Sequence, residues 1–156
     1  MFHVLALLMG LSGLAAQSPS ATPVSIAAPD KAAVDSIKAG KHDCPRCDLR
    51  GADLTNTCVK NGDVQGAKFD NARLVLMCMS YANFKGASFR GADMAGANLA
   101  HSNVDGADFT GAKLSITSIK GTDLRSARGL TQGQLDAACG DAGTKVPAGM
   151  KVHTCS

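Results

Sequence analysis

The sequence predicts an all-β solenoid, a stack of short coils around a thin core, and three observations point there. Residues 47–126 obey a five-residue rule without interruption. Aromatic residues make up only 4% of the chain, too few to fill a wide core. No proline occurs between 46 and 146, as expected where backbone N–H groups are needed between successive coils.

Taken in order, residues 2–16 form an apolar run too short for a stable bilayer span, followed by small residues suited to a signal peptidase. Residues 1–16 are therefore read as a signal peptide, although its start carries only the α-amine and His3 where Lys or Arg is usual. The expected location is secreted or periplasmic. No cysteine sits near a cleavage site, so no membrane anchor is expected after cleavage. All six cysteines lie beyond the leader, and an even number in an exported chain favours disulfides.

Residues 17–30 hold three of the five prolines and no periodic pattern, which marks a flexible linker. Residues 31–46 are expected to form an N-terminal cap. Within it, Asp30 can cap a short helix over 31–39 that stops at Gly40.

From Cys47 the chain divides into sixteen units of five, beginning CDLRG ADLTN TCVKN GDVQG and ending TDLRS. The third residue of every unit is Leu, Val, Phe, Met or Ile. The first is small in all but one, where Met77 stands. Neither a helical nor a strand period explains such a rule. The pattern resembles the pentapeptide-repeat family, whose motif A(D/N)LXX turns the central apolar residue and the preceding Ala inward.

That resemblance implies a right-handed quadrilateral β-helix of about four coils, four units to a coil, with short helical caps at both ends. Each residue then lies over its partner twenty positions away, at the ordinary inter-strand spacing of about 4.8 Å. The central positions sort into four columns, one of which reads Leu49, Phe69, Phe89, Phe109. Outward charges alternate in sign at the same step, as in Asp53, Arg73, Asp93 and Lys113, in Arg50, Asp70 and Arg90, and in Lys85, Asp105 and Arg125. Stacking opposite charges contributes only tenths of a kcal/mol per pair, but it opposes slipped registers.

A solenoid needs closed ends. Residues 127–156 are expected to supply a C-terminal helical cap and tail. Thr131 and Gln134 have capping-box spacing and open a helix of about 132–138, and Gly129-Leu130-Thr131-Gln132-Gly133-Gln134-Leu135 resembles an element with which many family members end.

In the twenty-residue register Cys58 and Cys78 occupy one outward position a coil apart, at a separation a disulfide tolerates. They are expected to bond, two exposed thiols being the alternative. Cys139 and Cys155 flank the terminal cap and are expected to pin the tail. Cys44 and Cys47 are then left to pair across Pro45-Arg46. A C-x-x-C also suggests thiol-disulfide chemistry, but redox enzymes set it at a helix start, whereas here Cys47 opens the first coil.

No catalytic, cofactor-binding or metal-binding set emerges. His3, His42, His101 and His153 are scattered, the C-x-x-C lacks a second ligand pair for zinc, and Asp recurs at the second position of the units. The net charge of +3 and the alternating signs argue against a DNA mimic of the kind that binds gyrase in this family. Without a basic stripe or stacking aromatics, nucleic-acid binding is not expected either.

One stretch breaks the rule. Val75, Leu76 and Tyr81 fall at outward or corner positions, and Ile116 shares the corner column of Leu76, which makes a candidate patch for a protein partner or a second copy. The resulting expectation is a non-catalytic exported module for structure or protein interaction. The alternatives are a redox protein using Cys44 and Cys47 and a gyrase-binding DNA mimic.

Overall fold

The computed structural model describes residues 28–156; residues 1–16, where a signal peptide is expected, and residues 17–27 of the expected linker lie outside the described residues. The repeat folds as a four-sided β-helix. Parallel bridges join residues twenty apart on every side: Asp48 to Lys68, Asp53 to Arg73, Cys58 to Cys78 and Asp63 to Asn83, then onward up the stack. Each side contributes a single bridging residue per unit rather than an extended strand, because the chain turns a corner every five residues.

The hydrogen bonds of one unit account for its whole sequence rule. The third N–H donates to the next coil, as Leu49 does to the Lys68 carbonyl at 2.8 Å, and the second N–H donates to the coil before, as Lys68 does to Cys47. The fifth N–H also reaches the next coil, and the first closes a tight turn onto the preceding unit. Only the fourth N–H has no backbone partner. Where the second residue is Asp or Asn, its side chain takes that donor, as where Thr55 N–H donates to Asp53 Oδ1 at 3.1 Å and Lys85 N–H to Asn83 Oδ1 at 3.2 Å. Asp and Asn recur at that position because a carboxylate or amide oxygen two residues back fits this donor.

The central residues of all sixteen units are buried, and the Phe column stacks: Phe69 on Phe89 at 5.2 Å and Phe89 on Phe109 at 5.1 Å between ring centroids. The first positions fill the corners of the tube. At Ser102, Thr117 and Thr122 the buried hydroxyl donates to a carbonyl of the coil before, as Thr117 does to Met94 at 2.7 Å, whereas Thr57 donates to Leu54 in its own coil, so the polarity of each is satisfied. Met77, the one bulky first residue, is fully buried.

The regular structure starts one unit earlier than the sequence rule indicates. His42–Arg46 already lies in register, with Cys44 N–H on the Asp63 carbonyl, Arg46 N–H on Gln65, and Cys44 buried at the central position. Pro45 stands at the fourth position, whose N–H is not needed between coils. Gly62 is glycine because a Cβ there would run into the His42 backbone.

Helix α1 (Lys31–Lys38) covers the first coil with Ala33 and Ile37, and the Asp30 carboxylate accepts from the N–H groups of Ala32 and Ala33. It ends one residue short of the expected 39, because Ala39 turns the chain into Gly40 at φ 82°. Helix α2 (Gln132–Ala137) replaces one side of a fifth, irregular coil and buries Leu135 over the tube, with the expected capping box of Thr131 and Gln134. It stops at 137, since Ala138 is extended and leads into Cys139, which bridges Ser118. The Gln134 amide also donates to the Phe109 and Ala112 carbonyls, both at 2.8 Å, closing the edge that the helix leaves open.

The charge columns hold only in part. Asp53 and Arg73, and Asp93 and Lys113, stack as loose pairs at 3.9 Å. Arg50 instead folds back on Asp48 and Arg125 on Asp123, two residues away in their own units, while Arg90 pairs with Asp108. The second-position carboxylate already points at the fourth residue's N–H, so an Arg side chain at that fourth residue meets it first.

Candidate interaction surface

From Arg46 to Gly121 every corner of the square is turned by a fifth residue in the left-handed region, with φ between 51° and 68° at Gly, Asn and five others: Arg46, Leu76, Tyr81, His101 and Ile116. Glycine and asparagine adopt this conformation at little cost, whereas a bulky or β-branched residue there is strained. All of the five but Arg46 lie on two neighbouring corners of the rod. Leu76, Tyr81 and Ile116 are its exposed large hydrophobic residues among those described, at 56%, 57% and 71%.

On the first corner the column runs Asn56, Leu76, Gly96, Ile116. Leu76 and Ile116 both lean over Gly96; a Cβ at Gly96 would come within 2.7 Å of Leu76 Cδ2 and 3.9 Å of Ile116 Cδ1. The result is a continuous apolar ridge, with Val75 half-buried beside it. On the second corner Tyr81 stacks on His101, centroids 5.0 Å apart and planes 16° from parallel. His101 is a patch residue that single-residue reasoning passed over, and the signal was its place twenty positions after Tyr81.

The face between these corners shows Cys58, Cys78, Asn98 and Ser118 outward, with no charge in the column. The other three outward columns carry charges: Asp48, Lys68 and Asp108; Asp53, Arg73, Asp93 and Lys113; Asp63 and Asp123. A shallow depression at the diagonally opposite corner is lined by Arg46, Gln65 and Lys85.

All six cysteines are bonded, Cys44 to Cys47, Cys58 to Cys78 and Cys139 to Cys155, with Cα separations of 5.5, 4.6 and 5.2 Å. Cys58–Cys78 ties two coils together on the uncharged face, and Cys139–Cys155 ties the tail to the fifth coil. The Cys44–Cys47 pair sits within the first coil, downstream of α1 and not at a helix N-terminus. Among the described residues no cluster of three or more His, Cys, Asp or Glu could hold a metal, and no helix is long and apolar enough to cross a membrane.

Comparison with known proteins places the repeat. The family model described as pentapeptide repeats matches residues 47–80, 78–115 and 92–128. The chain belongs to the pentapeptide-repeat family. Among solved structures, it resembles a pentapeptide repeat protein from the thylakoid lumen of Arabidopsis thaliana at 25% identity and a TM-score of 0.52, covering 62% of each chain. It also resembles HetL, a pentapeptide repeat protein involved in heterocyst differentiation regulation from the cyanobacterium Nostoc, at 25% identity and a TM-score of 0.59, covering 71% of this chain and 51% of HetL. The chain thus spans less than two thirds of either protein's length. Family and neighbours together imply a right-handed β-helix. A search of curated proteins finds no significant match.

Proposed function

We propose that this pentapeptide-repeat protein is a non-catalytic, exported module for structure or protein interaction that acts through the two neighbouring corners that carry Leu76 and Ile116, and Tyr81. One observation carries the reading: exposed apolar side chains stand at corner positions whose backbone favours Gly or Asn. Such residues add strain and expose apolar surface without filling the core, which is the signature expected of a site kept for contact.

Export is supported by the apolar leader and by three disulfides, which suit an oxidising compartment. The resembling Arabidopsis protein comes from the thylakoid lumen. The alternating charge of the columns does not favour a DNA mimic. Burial of Cys44 and its place in a coil do not favour a thiol-disulfide enzyme.

The test is affinity capture from the source cells' extracytoplasmic fraction with the intact protein and with a Leu76→Asn, Tyr81→Asn variant. Asn suits the left-handed backbone, so the variant keeps its fold. Loss of specific capture in the variant supports the reading. Equal capture by both, or secretion failing in a cell-fractionation experiment, overturns it.

A further inference from the structure

The ridge of Leu76 and Ile116 borders the face that carries Asp53, Arg73, Asp93 and Lys113, and together the two have a symmetry that neither shows alone. We propose that a second copy of this chain packs antiparallel against this face and ridge, about a two-fold axis that runs perpendicular to the rod, level with the gap between its second and third coils. The proposal rests on the reading of the corner as an interaction surface and names its occupant.

An axis of this kind lies in the plane of contact, sets each column opposite itself and reverses the order of the coils. First-coil residues therefore meet fourth-coil residues, and second meet third. On the charged face Asp53 comes opposite Lys113, and Arg73 opposite Asp93, each pair occurring twice by symmetry. Every facing pair is of opposite sign. A parallel pairing of the same faces would set each charge against its own copy.

At the ridge the same reversal sets Leu76 opposite Gly96, which Leu76 and Ile116 of the other copy overhang, so the two apolar ridges meet side chain on side chain, and it sets Ile116 opposite Asn56. Between face and ridge, Val75 comes opposite Ala95, an uncharged match. The remaining faces fail this test. Reversal brings Asp48 to Asp108 on one and Asp63 to Asp123 on another, and beside the uncharged column of Cys58 it brings Lys60 to Lys120. Other faces offer single opposite pairs, such as Asp70 with Arg90 and Lys85 with Asp105, but only this face and its ridge reverse without a like-charge pair.

The charges are also free to make these contacts. Their intrachain pairs are loose at 3.9 Å, and the Arg73 and Lys113 side chains are 66% and 71% exposed. The contact runs along only four coils, roughly 19 Å at the usual spacing, so the dimer is weak and forms at high concentration.

The experiment is sedimentation velocity on the disulfide-bonded protein from micromolar to millimolar concentration, with Arg73→Asp, Asp93→Arg and Leu76→Asn variants whose fold is checked by thermal melting. The intact protein should show a concentration-dependent dimer. Each charge reversal sets two like pairs in contact and should raise the dimer Kd at least about tenfold, and Leu76→Asn should weaken it as well. An equimolar mixture of the Arg73→Asp and Asp93→Arg chains should regain dimers, because their second- and third-coil charges are again opposite across the contact.

A protein that stays monomeric at every concentration overturns the proposal, as does a mixture that recovers nothing. A monomer that still captures an extracytoplasmic partner through Leu76 and Tyr81 leaves the broader reading standing.

Discussion

The rings of Phe69 and Phe89 lie face to face one coil apart, their planes only 7° from parallel. Phe109 extends the stack on the far side of Phe89, and Phe84 packs against both Phe69 and Phe89 from the adjoining column. Phe89 is thus the centre of the aromatic core. Phe89→Ala removes a fully buried ring from a tube too narrow to collapse around the gap, and should cost about 3–5 kcal/mol in chemical denaturation. A loss below about 1 kcal/mol would mean that the stack contributes little.

The second-position side chain is the next point of leverage. Asp108 Oδ1 accepts from Thr110 N–H at 2.9 Å and from its hydroxyl at 2.6 Å. Asp108→Asn keeps an oxygen in place, as Asn83, Asn98 and Asn103 already do, whereas Asp108→Ala leaves the Thr110 N–H without that acceptor. The alanine variant should lose about 1 kcal/mol and the asparagine variant at most about half that, read from thermal and urea unfolding. Equal losses would assign the effect to charge rather than to the hydrogen bond.

These carboxylates also set the acid limit. The Arg125 guanidinium and backbone N–H hold Asp123 down to about 2 from an ordinary 3.8. Asp108 is lowered by Thr110 and Arg90, and Asp48 by Arg50. A depressed folded-state value contributes stability that is present above the unfolded value and lost as pH falls through the folded one. Melting temperature should therefore stay level from neutrality down to about pH 5 and fall from about pH 4 toward pH 2. A steep fall already at pH 6 would show that these carboxylates do not set the acid limit.

The sequence carried the repeat because five-residue spacing, an inward apolar third residue and an oxygen-bearing second residue are each demanded by the coil. It hid the unit His42–Arg46 because that unit meets the same demands with different residues. Cys44 is a small hydrophobe in the central place, His42 stands where Ala is usual, and Pro45 looks like a break although its position needs no inter-coil N–H. The fifth coil was hidden for a related reason: α2 takes the place of one side and shifts the bridges to Ser118–Cys139 and Asp123–Lys145. At the surface the exposed residues were readable from register alone. The lean of Leu76 and Ile116 over Gly96 and the Tyr81–His101 stack depend on rotamers that spacing does not dictate.

The three disulfides close loops of very different length, with sequence separations of 3, 20 and 16. In the chain-entropy view, removing Cys58–Cys78 by double serine substitution should cost about 3 kcal/mol, and removing Cys44–Cys47 about 2 kcal/mol. Loss of Cys139–Cys155 should also free the tail, seen as faster amide exchange beyond Cys139. A reversed order of melting temperatures for the first two pairs would show that local packing outweighs loop length.

Ile116 supplies the sharpest test of whether the apolar corner serves stability or contact. Its backbone sits at φ 51°, where a β-branched side chain is disfavoured by roughly 1–2 kcal/mol, and its side chain is too exposed to recover that through burial. Asn56 turns the same corner three coils below at φ 57°. Ile116→Asn should therefore leave the monomer as stable as before or raise its stability by up to about 1 kcal/mol. The same substitution should weaken whatever association the ridge supports, measured by sedimentation on the same samples. Stability and association moving in opposite directions is the result expected of a contact residue. A clear drop in unfolding free energy with association unchanged would instead make Ile116 part of the scaffold.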